Sequence, residues 1–287
     1  WSFRIMTIIT LTAGTAFIMW LGEQMSERGI GNGISLIIFA GIVAQIPSAV
    51  GNTLKLLNSG NLSLFSLVFV LALMGAVIAA IVFVERGQRR LPIHYAKRVT
   101  GLKTVSPQTS HLPLKVNMAG VIPPIFASSI IMFPATVANF IDIPAVQTFS
   151  KMLTPGHWLY NVFYVAFIVF FCYFYTAVTF NPVDVSENIK RHGGYIPGIR
   201  PGNETSAYMD SILTRLTFAG AIYISLVCVL PSILIDGFKL NLPFYFGGTS
   251  LLIVVGVGMD TVSQVESHLI TRNYEGFLKG VRIRGRR

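Results

Sequence analysis

Charge is scarce in this sequence. Asp, Glu, Lys and Arg together supply 12% of its 287 residues, about half the share usual in a soluble domain. Hydrophobic residues supply 53%, and mean hydropathy is +0.64. So little charge argues against a globule covered by water and for lipid as the solvent of most of the chain. Cysteine is nearly absent as well. Cys172 and Cys228 both fall inside apolar runs, so each reads as a small packing residue rather than half of a disulfide. The histidines, His94, His111, His157, His192 and His268, are scattered, and none stands at helical spacing from a second ligand candidate. No metal site is expected from them. No P-loop is present, so no ATP site is expected. The pair Ser128-Ser129 lacks the glycine frame of a nucleophile elbow. "RGIGNG", from Arg28 to Gly33, has no strand before it and reads as an interfacial turn, not a dinucleotide loop. No catalytic residue emerges and no cofactor is expected; the chain does not read as an enzyme.

What is present is a series of long apolar runs. A helix needs about 20 such residues to cross a bilayer. Seven candidates meet or approach that length: Ile5–Leu21, Ile34–Val50, Leu62–Val84, Ala119–Ile141, Leu159–Phe180, Leu216–Leu234 and Phe244–Val262. The expected fold class is therefore all-α integral membrane, a multi-span helical bundle. Of the 22 Lys and Arg residues, 18 fall in one set of alternate segments and 4 in the other. The richer set should face the cytoplasm, which puts the C-terminal tail inside and Trp1 outside. The opening Trp1-Ser2-Phe3-Arg4 shows no signal peptide and reads as a cut through a larger protein.

The organisation expected is as follows. Residues 1–50 hold two spans around a cytoplasmic turn at 22–33, and 51–84 add a third that completes an N-terminal half. A loop at 85–118 precedes two spans at 119–180. A second loop at 181–215 precedes the last two spans at 216–262, and 263–287 form a basic tail. In the first loop Ile93, Tyr95, Lys97 and Val99 alternate, a weak strand signal, and Thr100-Gly101 offers a turn for a β-hairpin. In the second, "GYIPGIRPGNETSAYMD" predicts a rigid turn, with Asn203 or Thr205 capping a short helix that leads into the sixth span.

The fourth run, "VNMAGVIPPIFASSIIMFP" (Val116–Pro134), combines apolar character with helix disruptors. Two readings stand: a static kink in a packed bundle, since proline is ordinary in membrane helices, or a helix built to shift. An ion-coupled transporter would place ionisable groups at mid-membrane. Here Asp260 is the lone acid within a span, near the end of the last one. A conduit in this chain would therefore be apolar, and an isoleucine constriction blocks ions by dewetting.

Several stretches resemble the SecY family, the bacterial protein-conducting channel subunits. They are "GEQMSERGIGNGISLIIFAGIVA" (22–44), "FVERGQRR" (83–90), "HLPLKVNMAGVIPPIFASSII" (111–131), "YIPGIRPG" (195–202) and "LPFYFGGTSLLIVV" (242–255). They come in the family's order, and the match begins at the family's fourth span. The three preceding spans, with the plug and one side of the lateral gate, are missing from this chain. The resemblance implies a SecY-type channel that moves unfolded secretory polypeptides across the cytoplasmic membrane and membrane segments sideways into it. It implies a gate helix around Pro123, Pro124, Ser128 and Ser129. It implies a pore ring that includes Ile34, Ile38, Ile125 and Ile253; lipid-facing isoleucine is the ordinary alternative. It implies that the two loops dock the SecA motor and the ribosome, with Arg200 held on a stiff turn suited to bidentate binding. Arg86, Arg89, Arg90, Lys97 and Arg98 would meet ribosomal RNA phosphates, although orientation and anionic lipids account for such charge equally. SecE and SecG subunits are implied partners. The tail "VRIRGRR" would touch the motor, the ribosome or anionic lipid. The competing readings are a small-solute transporter or channel, and a scaffold that only docks ribosomes to membrane.

Overall fold

The structure, a computed structural model, describes residues 1–29, 31–60, 63–95, 99–100, 103–104, 109–138, 153, 157–237 and 247–280. Long helices dominate. In chain order they are α1 (Ser2–Arg28), α2 (Gly33–Val43), α3 (Ile46–Asn58), α4 (Leu64–Glu85), α5 (Ile122–Ala138), α6 (Trp158–Thr179), α7 (Pro182–Arg191), α8 (Asn203–Gly237) and α9 (Gly248–Gly280). Five short strands lie among them: β1 (Gln88–Tyr95), β2 (Val99–Thr100), β3 (Lys103–Thr104), β4 (Thr109–Lys115) and β5 (Gly194–Tyr195).

Among the described residues six helical stretches are long and apolar enough to cross a membrane: Ser2–Arg28, Gly33–Asn58, Leu64–Glu85, Trp158–Arg191, Asn203–Pro231 and Gly248–Ile270. They cover six of the seven expected runs. The fourth run forms α5, an apolar helix of 17 residues ending at Ala138; the remainder of that run, to Ile141, lies outside the described residues. The second run is two helices, not one. Pro47 sits in the first turn of α3, and the amide of Gln45 bonds back only three residues, to the Ile42 carbonyl at 3.1 Å. A proline there has no amide to continue the ladder, so the stretch is a pair of helices.

The helices fall into two contact units. The first contains α1, α2, α3 and most of α9; the second contains α4 to α8, the strands and the first turn of α9.

In the first unit "RGIGNG" is the turn expected, and its capping is explicit. The Asn32 side chain accepts from the amides of Ile34 and Ser35 at 3.1 and 3.3 Å, which satisfies two orphan donors of α2. Ser26 Oγ accepts from Gly33 N at 2.8 Å and donates to the Gly22 carbonyl at 2.9 Å. A Cβ at Gly33 would overlap that same carbonyl. Two glycines thus let α1 and α2 approach backbone to backbone.

In the second unit the first long loop is a β-hairpin, as expected. β1 pairs antiparallel with β4 from Gln88↔Lys115 to His94↔Thr109, and β2 pairs with β3 beyond it. What the sequence did not announce is the third strand. β5, from the second loop, pairs with the far end of β1 through His94↔Tyr195 and Tyr95↔Gly194. The two loops therefore share one sheet of order β4-β1-β5. Alternation along β1 buries Leu91 and Ile93 and leaves Arg90 and Pro92 exposed. Under the sheet, Leu91 and Leu114 pack on Ile212 and Leu213, while Ile93 packs on Ile189 and Met209. Ile189 comes from α7 and the others from the start of α8, so this small core welds both loops to the helices below.

The loop helix α7 was not expected. Asn181 caps it by accepting from Val183 N at 3.1 Å, with Pro182 in the first turn. The helix after the rigid turn also differs from expectation. It is not short: α8 runs without interruption for 35 residues. Gly202, not Asn203 or Thr205, is its cap, because the Gly202 carbonyl accepts the Ser206 amide at 3.1 Å. Thr205 turns back and donates its hydroxyl to the Arg200 carbonyl at 3.0 Å.

The joint between the loops leaves little room for a side chain at residue 194. A Cβ there would stand 3.0 Å from both Ile189 Cγ2 and Tyr95 Cε1. Gly194→Val is expected to push β5 off β1 and cost about 1–3 kcal/mol of local stability. Limited proteolysis should then cut within 181–215 faster than in the parent. An unchanged cleavage rate would show that the β1–β5 pairing does not hold the second loop.

Candidate functional site

Two features combine unusual chemistry with defined geometry: the apolar helix α5 and the exposed basic residues around the sheet.

On α5 the prolines do something other than expected. Pro123 and Pro124 do not interrupt the ladder mid-helix. They occupy the first turn, where an amide proton has no intrahelical partner anyway, and both are fully buried. Pro134 alone lies inside the helix. The serines act locally. Ser128 and Ser129 both donate to one carbonyl, that of Ile125, at 2.9 and 2.8 Å. That carbonyl already faces the Ser129 amide in a regular helix, so the serines spend their protons within α5 and do not re-satisfy a carbonyl freed by proline. The helix thereby presents few unspent polar groups to its surroundings. Phe126 stacks on Phe171 at 5.6 Å and fixes α5 against α6.

The four isoleucines fall on different units. Ile34 and Ile38 lie one turn apart on α2, the first exposed and the second half-buried. Ile253 is buried on α9, in the same unit. Ile125 is half-buried on α5, in the second unit.

The basic residues lie on and beside the sheet. Arg86, Arg89 and Arg90 are all exposed where α4 passes into β1. Lys97, Arg98 and the tail 281–287 lie outside the described residues. Arg200 is exposed in the second loop, on a turn whose main chain is pinned. Gly198 and Gly202 hold φ of +81° and +116°, conformations that glycine adopts without strain. Buried Ser186 donates to the Gly202 carbonyl at 2.8 Å. Beside this turn opens a cleft of about 460 Å³ lined by Gly198, Ile199, Arg200, Glu204, Ala207 and Tyr208. The backbone is fixed and the guanidinium is not packed, an arrangement that offers a fork to an incoming acid or phosphate at little ordering cost. The signals for this turn were the glycines and prolines, and the cap expected at Asn203 or Thr205 lies within two residues of where α8 begins, at Asn203.

Elsewhere in the second unit a polar knot ties three helices inside the apolar region. Tyr164 OH on α6 and Thr249 Oγ1 on α9 share a hydrogen bond of 2.7 Å, and Thr249 also reaches Cys228 Sγ on α8 at 3.8 Å. Both cysteines are free and buried. Among the described residues no three of His, Cys, Asp and Glu gather at a metal-binding distance.

Comparison with known proteins places this geometry. The family model described as SecY matches residues 2–262. "Protein translocase subunit SecY" of Pseudomonas aeruginosa is 51% identical over 99% of this chain and 64% of its own length. The protein of the same description from Escherichia coli K12 is 50% identical over 99% of this chain and 65% of its own length. The chain thus spans just under two-thirds of the length of these relatives. A solved structure described as "The structure of a protein conducting channel" superposes with a TM-score of 0.64 at 17% identity, over 90% of this chain and 64% of that one. At that identity the likeness speaks to fold alone.

Proposed function

Because the chain belongs to the SecY family, we propose that it forms the larger part of a protein-conducting channel subunit, through which unfolded secretory polypeptides cross a bacterial cytoplasmic membrane. In this reading the conduit is passive, and its drive comes from a bound motor or from translation. The observation that carries the reading is the shared sheet. Arg86, Arg89, Arg90 and Arg200 are exposed on and beside it, and it packs on α8, which continues directly as a membrane-length apolar helix. The sheet and a membrane-length helix thus share one core.

The two loops at 85–118 and 181–215 face the cytoplasm and receive the SecA motor or the ribosome. The C-terminus lies on the same side, where the tail meets a partner or anionic lipid. SecE, SecG and the part of the relatives' length that lies beyond the match complete the channel. α5 is the gate helix. Ile34, Ile38, Ile125 and Ile253 contribute to an apolar ring, which is consistent with a region kept free of charge and sealed by dewetting.

The direct test is photo-crosslinking in the full-length protein, with a photoreactive residue at Ile125 and a control at Phe170. Phe170 is exposed on α6, where lipid is its expected neighbour. A stalled secretory chain is expected to form adducts at Ile125 and not at Phe170. Adducts at neither position would return the isoleucines to packing and favour a small-solute pathway.

A further inference from the structure

Between β4 and α5 lies a buried polar joint. Asn117 is only 4% exposed, yet every polar atom of its amide is engaged. Nδ2 donates to Glu85 Oε1 at 2.6 Å and to the Gly120 carbonyl at 3.2 Å, and Oδ1 accepts the Gly120 amide at 3.0 Å. These partners fix the amide's orientation, since two acceptors face its NH2 and one donor faces its oxygen.

Gly120 explains why such a residue stands there. It precedes α5, so neither its carbonyl nor its amide has a place in the helical ladder. Asn117 meets both. Gly120 itself holds φ of +64°, so the chain turns sharply here before α5 begins. The turn is also clamped from α8: a Cβ on Gly220 would stand 2.9 Å from the Val116 carbonyl. On the other side Glu85 is the last residue of α4. Just beyond it the base of the β1–β4 hairpin is closed by Val116 N donating to Gly87 O at 3.0 Å. Three elements therefore meet at one side chain: the end of α4, the base of the sheet and the start of α5.

We infer that Asn117, anchored by Glu85, is a positioning residue that sets the start of α5 and couples the docking sheet to it. This rests on the reading of α5 as the gate helix. The hairpin's two strands leave α4 and enter the α5 turn at adjacent points, so a load on the sheet reaches α5 through this joint. With the joint intact α5 is held in one arrangement. Without it the turn before α5 loses its side-chain partners, and other arrangements become accessible.

The test uses the full-length protein in cells, with two exported reporters, one bearing an intact signal sequence and one a defective signal. The readout is the ratio of their export at equal membrane content of channel. Asn117→Leu keeps the volume and removes all three bonds. It is expected to raise relative export of the defective reporter about tenfold, the scale of a lost hydrogen bond to a charged acceptor. Glu85→Ala should share the effect, and the two together should not exceed either alone. Glu85→Gln keeps an acceptor oxygen and should stay near the parent. A control variant, Ile125→Asn, reports on the gate reading by itself. If it alone raises the ratio, with Asn117→Leu and Glu85→Ala inserted at parental levels and selective, the joint is only structural and the inference falls. If Ile125→Asn is silent too, the gate reading falls and takes the inference with it. Should Asn117→Leu fail to accumulate, Glu85→Ala decides the same way.

Discussion

Full-length protein carrying Arg200→Glu is expected to insert normally and to lose motor-driven export by about tenfold or more, the usual scale for an interfacial charge pair turned repulsive. The two halves of that expectation come from different parts of the same turn. Normal insertion follows because the guanidinium is exposed. The fold holds this residue by its carbonyl, through Thr205 Oγ1 at 3.0 Å, and not by its side chain. A surface substitution away from packing and caps costs little stability. The loss of export follows because the turn fixes the main chain at this position, so the new carboxylate meets the partner group that the guanidinium would bind. Arg200→Lys should fall between the two, since it keeps the charge and loses the planar fork. The measurement is ATP-driven uptake of a secretory precursor into inverted membrane vesicles, normalised to channel content. Parental uptake by the glutamate variant would remove the docking role from this residue.

The second large effect is expected at the apolar ring. Ile253→Asn and Ile125→Asn should let ions and poorly recognised chains through, with leak raised about tenfold or more, because one polar group in a dewetted constriction gives water a foothold. Ile253 is buried, so its replacement by asparagine also carries a general cost of about 1–3 kcal/mol for an unpaired polar group. A control separates the two causes. Ile168 on α6 is fully buried and is no part of the proposed ring. If Ile168→Asn leaks as much as the ring variants, the leak reports loosened packing and the ring assignment fails. Leak confined to Ile125 and Ile253 supports it.

The apolar runs made most of the helices legible. The run beginning at Leu159 starts and ends within a residue of α6, because a lipid-facing helix needs unbroken hydrophobicity. The hairpin was legible from alternation at Ile93 and Tyr95. α7 was written in its first residues, since Asn181-Pro182-Val183-Asp184 is a cap, a first-turn proline and an acid at a helix start. The α5 prolines were visible but their meaning was not. Whether a proline breaks a helix or starts one depends on where the helix begins, and that is set by Asn117 and its partner Glu85, 32 residues away. β5 could not be seen at all: two residues have no period, and their pairing comes from the shared core under the sheet.

That pairing has a consequence for how the molecule is made. His94 meets Tyr195 across the sheet, and about a hundred residues separate them, a stretch that includes all of α5 and α6. During synthesis β1 and β4 can close as a local hairpin soon after they emerge. The third strand waits until both of those helices have been laid into the bilayer and the chain has returned to the same side. Non-local contacts of this kind form late. The platform is thus complete only in a chain whose intervening topology is right, and a nascent molecule with α5 or α6 misplaced would be left with an open sheet edge. Such an edge is a mark that quality-control proteases and chaperones can recognise.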